Sequence, residues 1–242
     1  MRPNTIPIAG FPILEATPHE LVDYLMAMLR AHKKATLFYA NTNFIVKCRH
    51  LLGKFFDDSV IIVNDGFGLD LAARLCRGRS FKSNLNGTDF TPYMLRQSTR
   101  PLRVYLYGGK PEVVSRAAHY VANQLGQIVV GFSDGYQDHL PNSGLIHKIN
   151  QSGAEVLLVA LGNPLQEQWI MRYRDVLQVG LVTGVGALFD FWAGDKPRAP
   201  KLIQRLRMEW FYRLCLEPRR LIKRYTLDIL VFFATCLKYR KS

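Results

Sequence analysis

Six places in the sequence set small or polar residues directly after a short apolar run: Asn41-Thr42-Asn43, Asn64-Asp65-Gly66, Gly108-Gly109, Asp134-Gly135-Tyr136, Gly162-Asn163-Pro164 and Gly184-Val185-Gly186. The second holds the residue with the most direct chemistry. Val60 to Val63 is wholly apolar and β-branched, as suits a strand buried on both faces of a parallel sheet. It breaks at a turn signal, and a helix is predicted from Leu69 to Arg77. Asp65 then sits at the carboxyl end of a strand, the edge where open α/β sheets bind ligands. A carboxylate there can take a proton from an attacking hydroxyl. It can equally cap the next helix or close the turn. Glycines in the other loops let a ligand approach the backbone, and helix N-termini favour phosphate. Each loop alone is an ordinary turn, but six on one edge describe a binding crevice.

The elements that must carry these loops alternate. Ile6 to Leu14 reads as a short strand or hairpin arm, and a helix opens at Thr17-Pro18. Strands are predicted at Ala35–Ala40, Val60–Val63, Leu102–Tyr107, Gln127–Phe132, Val156–Leu161 and Val179–Thr183, with helices between them. This alternation predicts an α/β fold: a Rossmann-like, mainly parallel sheet with helices on both faces. After Ala193-Gly194-Asp195 the pattern changes, and Pro197 and Pro200 mark a boundary. Residues 1–195 are therefore read as the main domain and 196–242 as a basic helical C-terminal appendage. Lys201 to Leu216 reads as one amphipathic helix, Pro218 opens a second, and Ile229 to Leu237 is a further apolar run.

Composition bounds the function. Of 242 residues, 48% are hydrophobic and 21% charged, so the chain folds rather than staying disordered. The four cysteines, Cys48, Cys76, Cys215 and Cys236, have neither metal-type spacing nor a paired framework, which fits a reducing compartment. The N-terminal stretch has no apolar run long enough for a signal peptide, and no stretch approaches the roughly 20 apolar residues of a membrane span. There is no GxGxxG fingerprint after the first strand, no P-loop, no HExxH and no GxSxG elbow. No metal site is expected. The net charge of +13 is uneven: from Lys196 onward thirteen Lys or Arg face only Glu209, Glu217 and Asp228. Such a tail implies an anionic partner, whether nucleic acid, membrane surface or phosphorylated substrate. Its aromatic and apolar residues suit a membrane interface, and charged faces of ordinary helices are the plainer account.

Several stretches together resemble one family of bacterial glycosyltransferases, the WecG/TagA/CpsF family. They are NDG at Asn64 to Gly66, GTD at Gly87 to Asp89, YGG at Tyr107 to Gly109, DGY at Asp134 to Tyr136, and LGNPLQEQWI at Leu161 to Ile170. GVGALFDFWAG at Gly184 to Gly194, RAP at Arg198 to Pro200, EWFYRL at Glu209 to Leu214 and EPRRLIKRY at Glu217 to Tyr225 follow in order. The resemblance implies transfer of N-acetylmannosamine, N-acetylmannosaminuronic acid or glucuronic acid from a UDP-sugar to an undecaprenyl-diphosphate-linked saccharide. By that resemblance Asp65 is the catalytic base. Asn43, Gln166 and Asp190 line the nucleotide-sugar site, and Arg213, Arg220 and Arg224 close over the lipid diphosphate. Asn41, Gly108, Gly109, Asp134, Tyr136 and Gly162, at the other strand ends, complete the expected substrate-binding set. The sequence departs from the family pattern at Asn41, where Thr is frequent, and at Asn84, where Arg is common. Leu165 replaces a usual Lys and Ala187 a usual Gly, so two cations are missing near the expected donor site.

The resulting expectation is an inverting, metal-independent glycosyltransferase without a cofactor, cytoplasmic and bound peripherally to the inner face of the cell membrane. Its diphosphate would be held by backbone N–H groups of the Gly-rich loops and a helix N-terminus. Nucleic acid is not an expected partner, and self-association into a homo-oligomer is left open. A basic nucleic-acid-binding α/β protein and a nucleotide-dependent oxidoreductase are the alternatives. The first is favoured by the basic tail alone, and the second lacks its glycine fingerprint.

Overall fold

The computed structural model of the chain describes residues 4–136, 142–205 and 208–239, without the side chains of Asn142, Arg205, Arg213, Arg220 and Arg224. Eight strands form one sheet: β1 (Thr5–Ile8), β2 (Phe11–Leu14), β3 (Ala35–Ala40), β4 (Val60–Asn64), β5 (Arg103–Gly108), β6 (Ile128–Ser133), β7 (Val156–Ala160) and β8 (Leu181–Gly184). Their order across the sheet is β1-β2-β4-β3-β8-β7-β5-β6. β1 and β2 are an antiparallel hairpin, so the arm expected over residues 6–14 folds back on itself through Ala9 and Gly10, both at positive φ. Every other pairing is parallel.

Every residue of β3, β4, β7 and β8 is buried, as expected of strands covered on both faces. One face is covered by α1 (Pro18–Arg30), α4 (Gly87–Arg96), α5 (Pro111–Leu125) and α8 (Leu188–Trp192). The other is covered by α2 (Thr42–Lys47), α3 (Phe67–Arg77), α6 (Asn142–Gln151) and α7 (Leu165–Tyr173), with a 3₁₀ segment over Arg49–Phe56. Local signals set these starts. Thr17 and Glu20 close a capping box before α1, and Pro111 occupies the first turn of α5.

Parallel register brings the strand ends level. Ala40 pairs with Asn64, Phe38 with Gly184, Val159 with Gly184, and Gly108 with Ala160. The loops after β3, β4, β5, β7 and β8 therefore emerge side by side along one edge.

The C-terminal stretch differs from its expected form. The single helix expected over residues 201–216 is two, α9 (Lys201–Arg205) and α10 (Glu209–Leu216), with residues 206–207 outside the described part. α11 (Pro218–Tyr225) and α12 (Leu227–Lys238) follow. α12 enters the core: Phe232 and Cys236 are fully buried in the same cluster as Phe11, Phe44 and Phe55. Arg77 Nη2 donates to the Tyr239 carbonyl at 3.1 Å, and the Arg49 guanidinium lies 4.1 Å from the centre of the Tyr239 ring. Among the described residues no helix is long and apolar enough to cross a membrane.

Phe232 gives a direct measure of this packing. Phe232→Ala is expected to cost about 3–5 kcal/mol, the range for emptying a buried aromatic site. Leu230→Ser, on the same helix but 67% exposed, is expected to change stability by no more than about 0.5 kcal/mol. Urea unfolding of the two variants checks the contrast.

Candidate active site

The carboxyl end of β4 builds the site from three consecutive residues. Asn64 is buried; its Nδ2 donates to the Ser83 carbonyl at 2.8 Å, and its own carbonyl accepts from Leu85 N–H at 3.1 Å. This holds the segment between α3 and α4 over the sheet edge. Asp65, next along, is half-buried and points into a cavity of about 610 Å³. Gly66 takes φ 94°, which only glycine adopts without strain, and it is Gly66 rather than Asp65 that forms the N-cap of α3. Asn84, returned by the held segment, accepts the Gly66 N–H at 2.7 Å.

Asn41 completes the floor. Its Oδ1 accepts the Phe44 N–H at 3.1 Å, capping α2, and its Nδ2 reaches Asp65 Oδ2 at 3.4 Å. One amide therefore starts a helix and orients the carboxylate. Gly68 allows α2 and α3 to start this close together, because a Cβ there would stand 2.4 Å from Thr42 Cγ2.

The cavity wall comes from α4. Gly87 packs on the Tyr39 ring, where a Cβ would approach to 2.7 Å, and Tyr39 Oη meets Thr91 Oγ1 at 2.9 Å. This docking presents Asn86, Thr88 and Asp89 to the cavity. The roof comes from the C-terminal helices through Gln204, Glu209, Trp210, Tyr225, Ile229 and Phe233. The volume lies within the usual range of small-molecule sites, and the lining mixes polar groups with aromatic faces. A smaller cavity of about 280 Å³ beside β2 and β4 is lined by no carboxylate, histidine or cysteine.

Of the residues singled out in the sequence, Asn41 and Asp65 line the large cavity. Asn43, Gly108, Gly109, Asp134, Tyr136, Gly162, Gln166 and Asp190 sit outside it, further along the loops that follow the strands. Several of their backbone groups, and those of neighbouring glycines, are bonded within the protein. Gly108, at φ 118°, is required by its neighbour: a Cβ would stand 2.4 Å from the Ala160 carbonyl oxygen. Gly109 N–H donates to that same oxygen at 3.1 Å, and Gly135 N–H to the Gly109 carbonyl at 2.9 Å. Gly186 N–H donates to Gln166 Oε1 at 3.0 Å. With the Gly66 N–H held by Asn84, the N–H groups of four glycines in the strand-end loops are bonded within the protein.

The remaining side chains show how that part of the edge is held. Asp134 is buried and accepts the Tyr136 N–H at 2.9 Å, while the Tyr136 ring is exposed. Gly162 stands at φ 77° before the cis Asn163–Pro164 bond. Asn43 Nδ2 donates to Asn163 Oδ1 at 2.5 Å, and Asn163 Nδ2 to Cys48 Sγ at 3.2 Å. Asp190 is half-buried in the first turn of α8. Gln166 is buried, and its Nε2 donates to Glu167 Oε1 at 2.9 Å. It therefore braces α7 against the loop after β8. Arg213, Arg220 and Arg224 belong to α10 and α11, and their side chains lie outside the described part.

Sequence reasoning missed Glu167. It is only 2% exposed, and its Oε2 has no hydrogen-bond partner among the described residues. Burial pushes its carboxyl up to about 7. The same burial, with Glu167 close by, raises the Cys48 thiol. Nothing in the sequence marks Glu167 apart from its place beside Gln166, since burial of a charged side chain is decided by tertiary packing. Asn84, expected near the donor site, lines the Asp65 cavity. Asn86 and Asp89 were missed as lining residues for a related reason: a polar stretch does not announce which sheet edge it covers.

A mainly parallel open sheet with a partly buried carboxylate in a mixed polar and aromatic cavity on its carboxyl edge is a Rossmann-like α/β fold with a candidate small-molecule site where such sheets bind ligands. The family description "Glycosyl transferase WecG/TagA/CpsF family" matches residues 6–242, and the chain belongs to that family of glycosyltransferases. The nucleic-acid and oxidoreductase readings give way to glycosyl transfer.

Glu167 makes stability pH-dependent in a stated direction. Its carboxyl is raised from 4.5 to about 7, so its stabilising contribution is complete below about pH 4.5 and is lost as pH rises through about 7. Urea midpoints at pH 5 and pH 8 should differ less in Glu167→Gln than in the unaltered protein. An equal difference in both would show that the carboxyl does not titrate in this window.

Proposed function

We propose that this protein is an inverting glycosyltransferase that moves a sugar of the N-acetylmannosamine, N-acetylmannosaminuronic acid or glucuronic acid type. The donor is a UDP-sugar and the acceptor a saccharide linked to undecaprenyl diphosphate, in the synthesis of a cell-surface or exopolysaccharide. The observation that carries this reading is Asp65, held by Asn41 on the floor of a cavity that the C-terminal helices roof.

Asp65 accepts the proton of an acceptor hydroxyl as that oxygen attacks the anomeric carbon. The new carbon–oxygen bond forms as the bond to the UDP phosphate oxygen breaks, and UDP leaves with the electron pair. A positioned base of this kind is typically worth about 10²–10⁴-fold. The donor lies along the loops after β5, β7 and β8, beside Asp134 and Asp190. Its departing diphosphate is neutralised by Arg213, Arg220 and Arg224, whose helices also supply roof residues. Asn84 and Leu165, neutral where cations are common in the family, place more of that task on the tail.

Attachment to the inner face of the cell membrane is peripheral. Phe211, Leu216, Ile222, Leu230 and Leu237 are exposed apolar side chains on the C-terminal helices, among the basic residues Arg219, Lys223 and Lys238. Apolar insertion combined with cationic attraction to anionic lipid supports binding in the plane of the interface.

Asp65→Asn should keep UDP affinity and the unfolding midpoint but lower transfer at least about a hundredfold. Product formation from a panel of UDP-sugars and a lipid-diphosphate-linked acceptor, followed by mass spectrometry, measures this and identifies the sugar. Near-normal turnover in the Asn variant would remove Asp65 from the chemistry.

A further inference from the structure

Three stretches, residues 87–89, 198–200 and 209–210, have no role in the reaction above. The structure brings them to one point on the rim of the Asp65 cavity. Arg198 Nη2 contacts Asp89 Oδ1 at 2.7 Å and Glu209 Oε1 at 3.6 Å. Asp89 is held from its other side by Asn86 Nδ2 at 2.9 Å. Arg198 therefore ties α4, in the body, to the first residue of α10, and Trp210 is the next residue along that helix. Trp210 and Tyr225 both line the cavity, their ring centroids 5.6 Å apart and their planes at 58°. Together they form an aromatic corner rather than a stack. Trp210 is 41% exposed although it lies in a cavity wall, which leaves much of its ring accessible.

We propose that Trp210 and Tyr225 are the platform on which the acceptor saccharide lies, seated over Asp65 by the Arg198 bridge between Asp89 and Glu209. A pyranose presents hydroxyls around its edge and C–H bonds on its face. The negative face of an aromatic ring attracts those C–H groups, as it attracts the positive edge of another ring. The cavity matches both halves of a sugar, with Asp65, Asn84 and Asn86 on the polar side and the two rings on the other. The proposal rests on Asp65 being the base, because the sugar beside the base is the one that loses a proton. Trp210 and Tyr225 would thus determine acceptor specificity, and Arg198 is a positioning residue.

Calorimetry in the Asp65→Asn background tests binding without turnover. Three ligands are used: UDP, a short-prenyl diphosphate carrying the saccharide, and the same prenyl diphosphate without sugar. Adding Trp210→Ala is expected to weaken the saccharide-bearing ligand about tenfold and to leave UDP and the sugar-free ligand unchanged. Trp210→Phe, which keeps an aromatic face, should recover most of the loss. Arg198→Ala should weaken the same ligand, and its effect should not add to that of Trp210→Ala. Equal losses on the sugar-bearing and sugar-free ligands would show that the rings hold lipid and would overturn the proposal. So would a loss confined to UDP, or no loss at all. Failure of the base assignment is read separately, from turnover of Asp65→Asn with Trp210 intact.

Discussion

The site depends on one buried amide. Asn64 ends a central strand and uses its side chain and its carbonyl to hold Ser83 and Leu85 across the sheet edge. From that anchor the dependencies run outward. The held segment returns Asn84 to fix the turn after Asp65 and starts α4 at Asn86. α4 offers Asp89 to Arg198, and Arg198 reaches Glu209 at the head of α10. Burying an amide costs free energy, and here only Nδ2 is bonded while Oδ1 has no hydrogen-bond partner among the described residues, so the Ser83 bond and the backbone bond from Leu85 are what tie this segment to the strand end. The chain of contacts crosses from β4 to α10 around one cavity.

The edge divides into two regions with different construction. Around Asp65 the side chains face open space and the backbone turns are pinned from behind. Along β5, β7 and β8 the loops are laced to one another, glycine against carbonyl and Gln166 against Gly186. A laced edge holds its shape before any ligand arrives, the arrangement that lowers the ordering cost of binding. The Asp65 side depends instead on helices that come from the far end of the chain.

Much of this was legible in the sequence, and the reasons for the exceptions are physical. Apolar runs at Val60–Val63 and Val156–Leu161 identified central strands because burial on both faces leaves no room for polar residues. Asp65 and Asn41 were legible because a strand end followed by a helix start fixes where such residues stand. At Gly108 the sequence shows that something approaches the backbone closely, and only the structure shows that Ala160 does. Glu167 was silent because its chemistry comes from desolvation, which depends on α7, Cys48 and the neighbouring loop together. The tail was read as a basic amphipathic appendage, and it forms α9 to α12. Periodicity does not reveal that α12 turns inward, because an apolar stripe suits a protein core and a lipid surface equally well.

That inward turn has a consequence for how the protein is made. Phe232 and Cys236 complete a cluster founded on β1, β2, α2 and the 3₁₀ segment, all of which are synthesised far earlier. Chains emerge from the ribosome in order, and early parts begin to fold before late parts exist. Until α12 has emerged, the aromatic cluster around Phe11, Phe44 and Phe55 lacks the wall that Phe232 provides. The roof over Asp65 is missing for the same interval. A nascent chain of this protein therefore has its carboxylate in place before it has an enclosed site in which to use it.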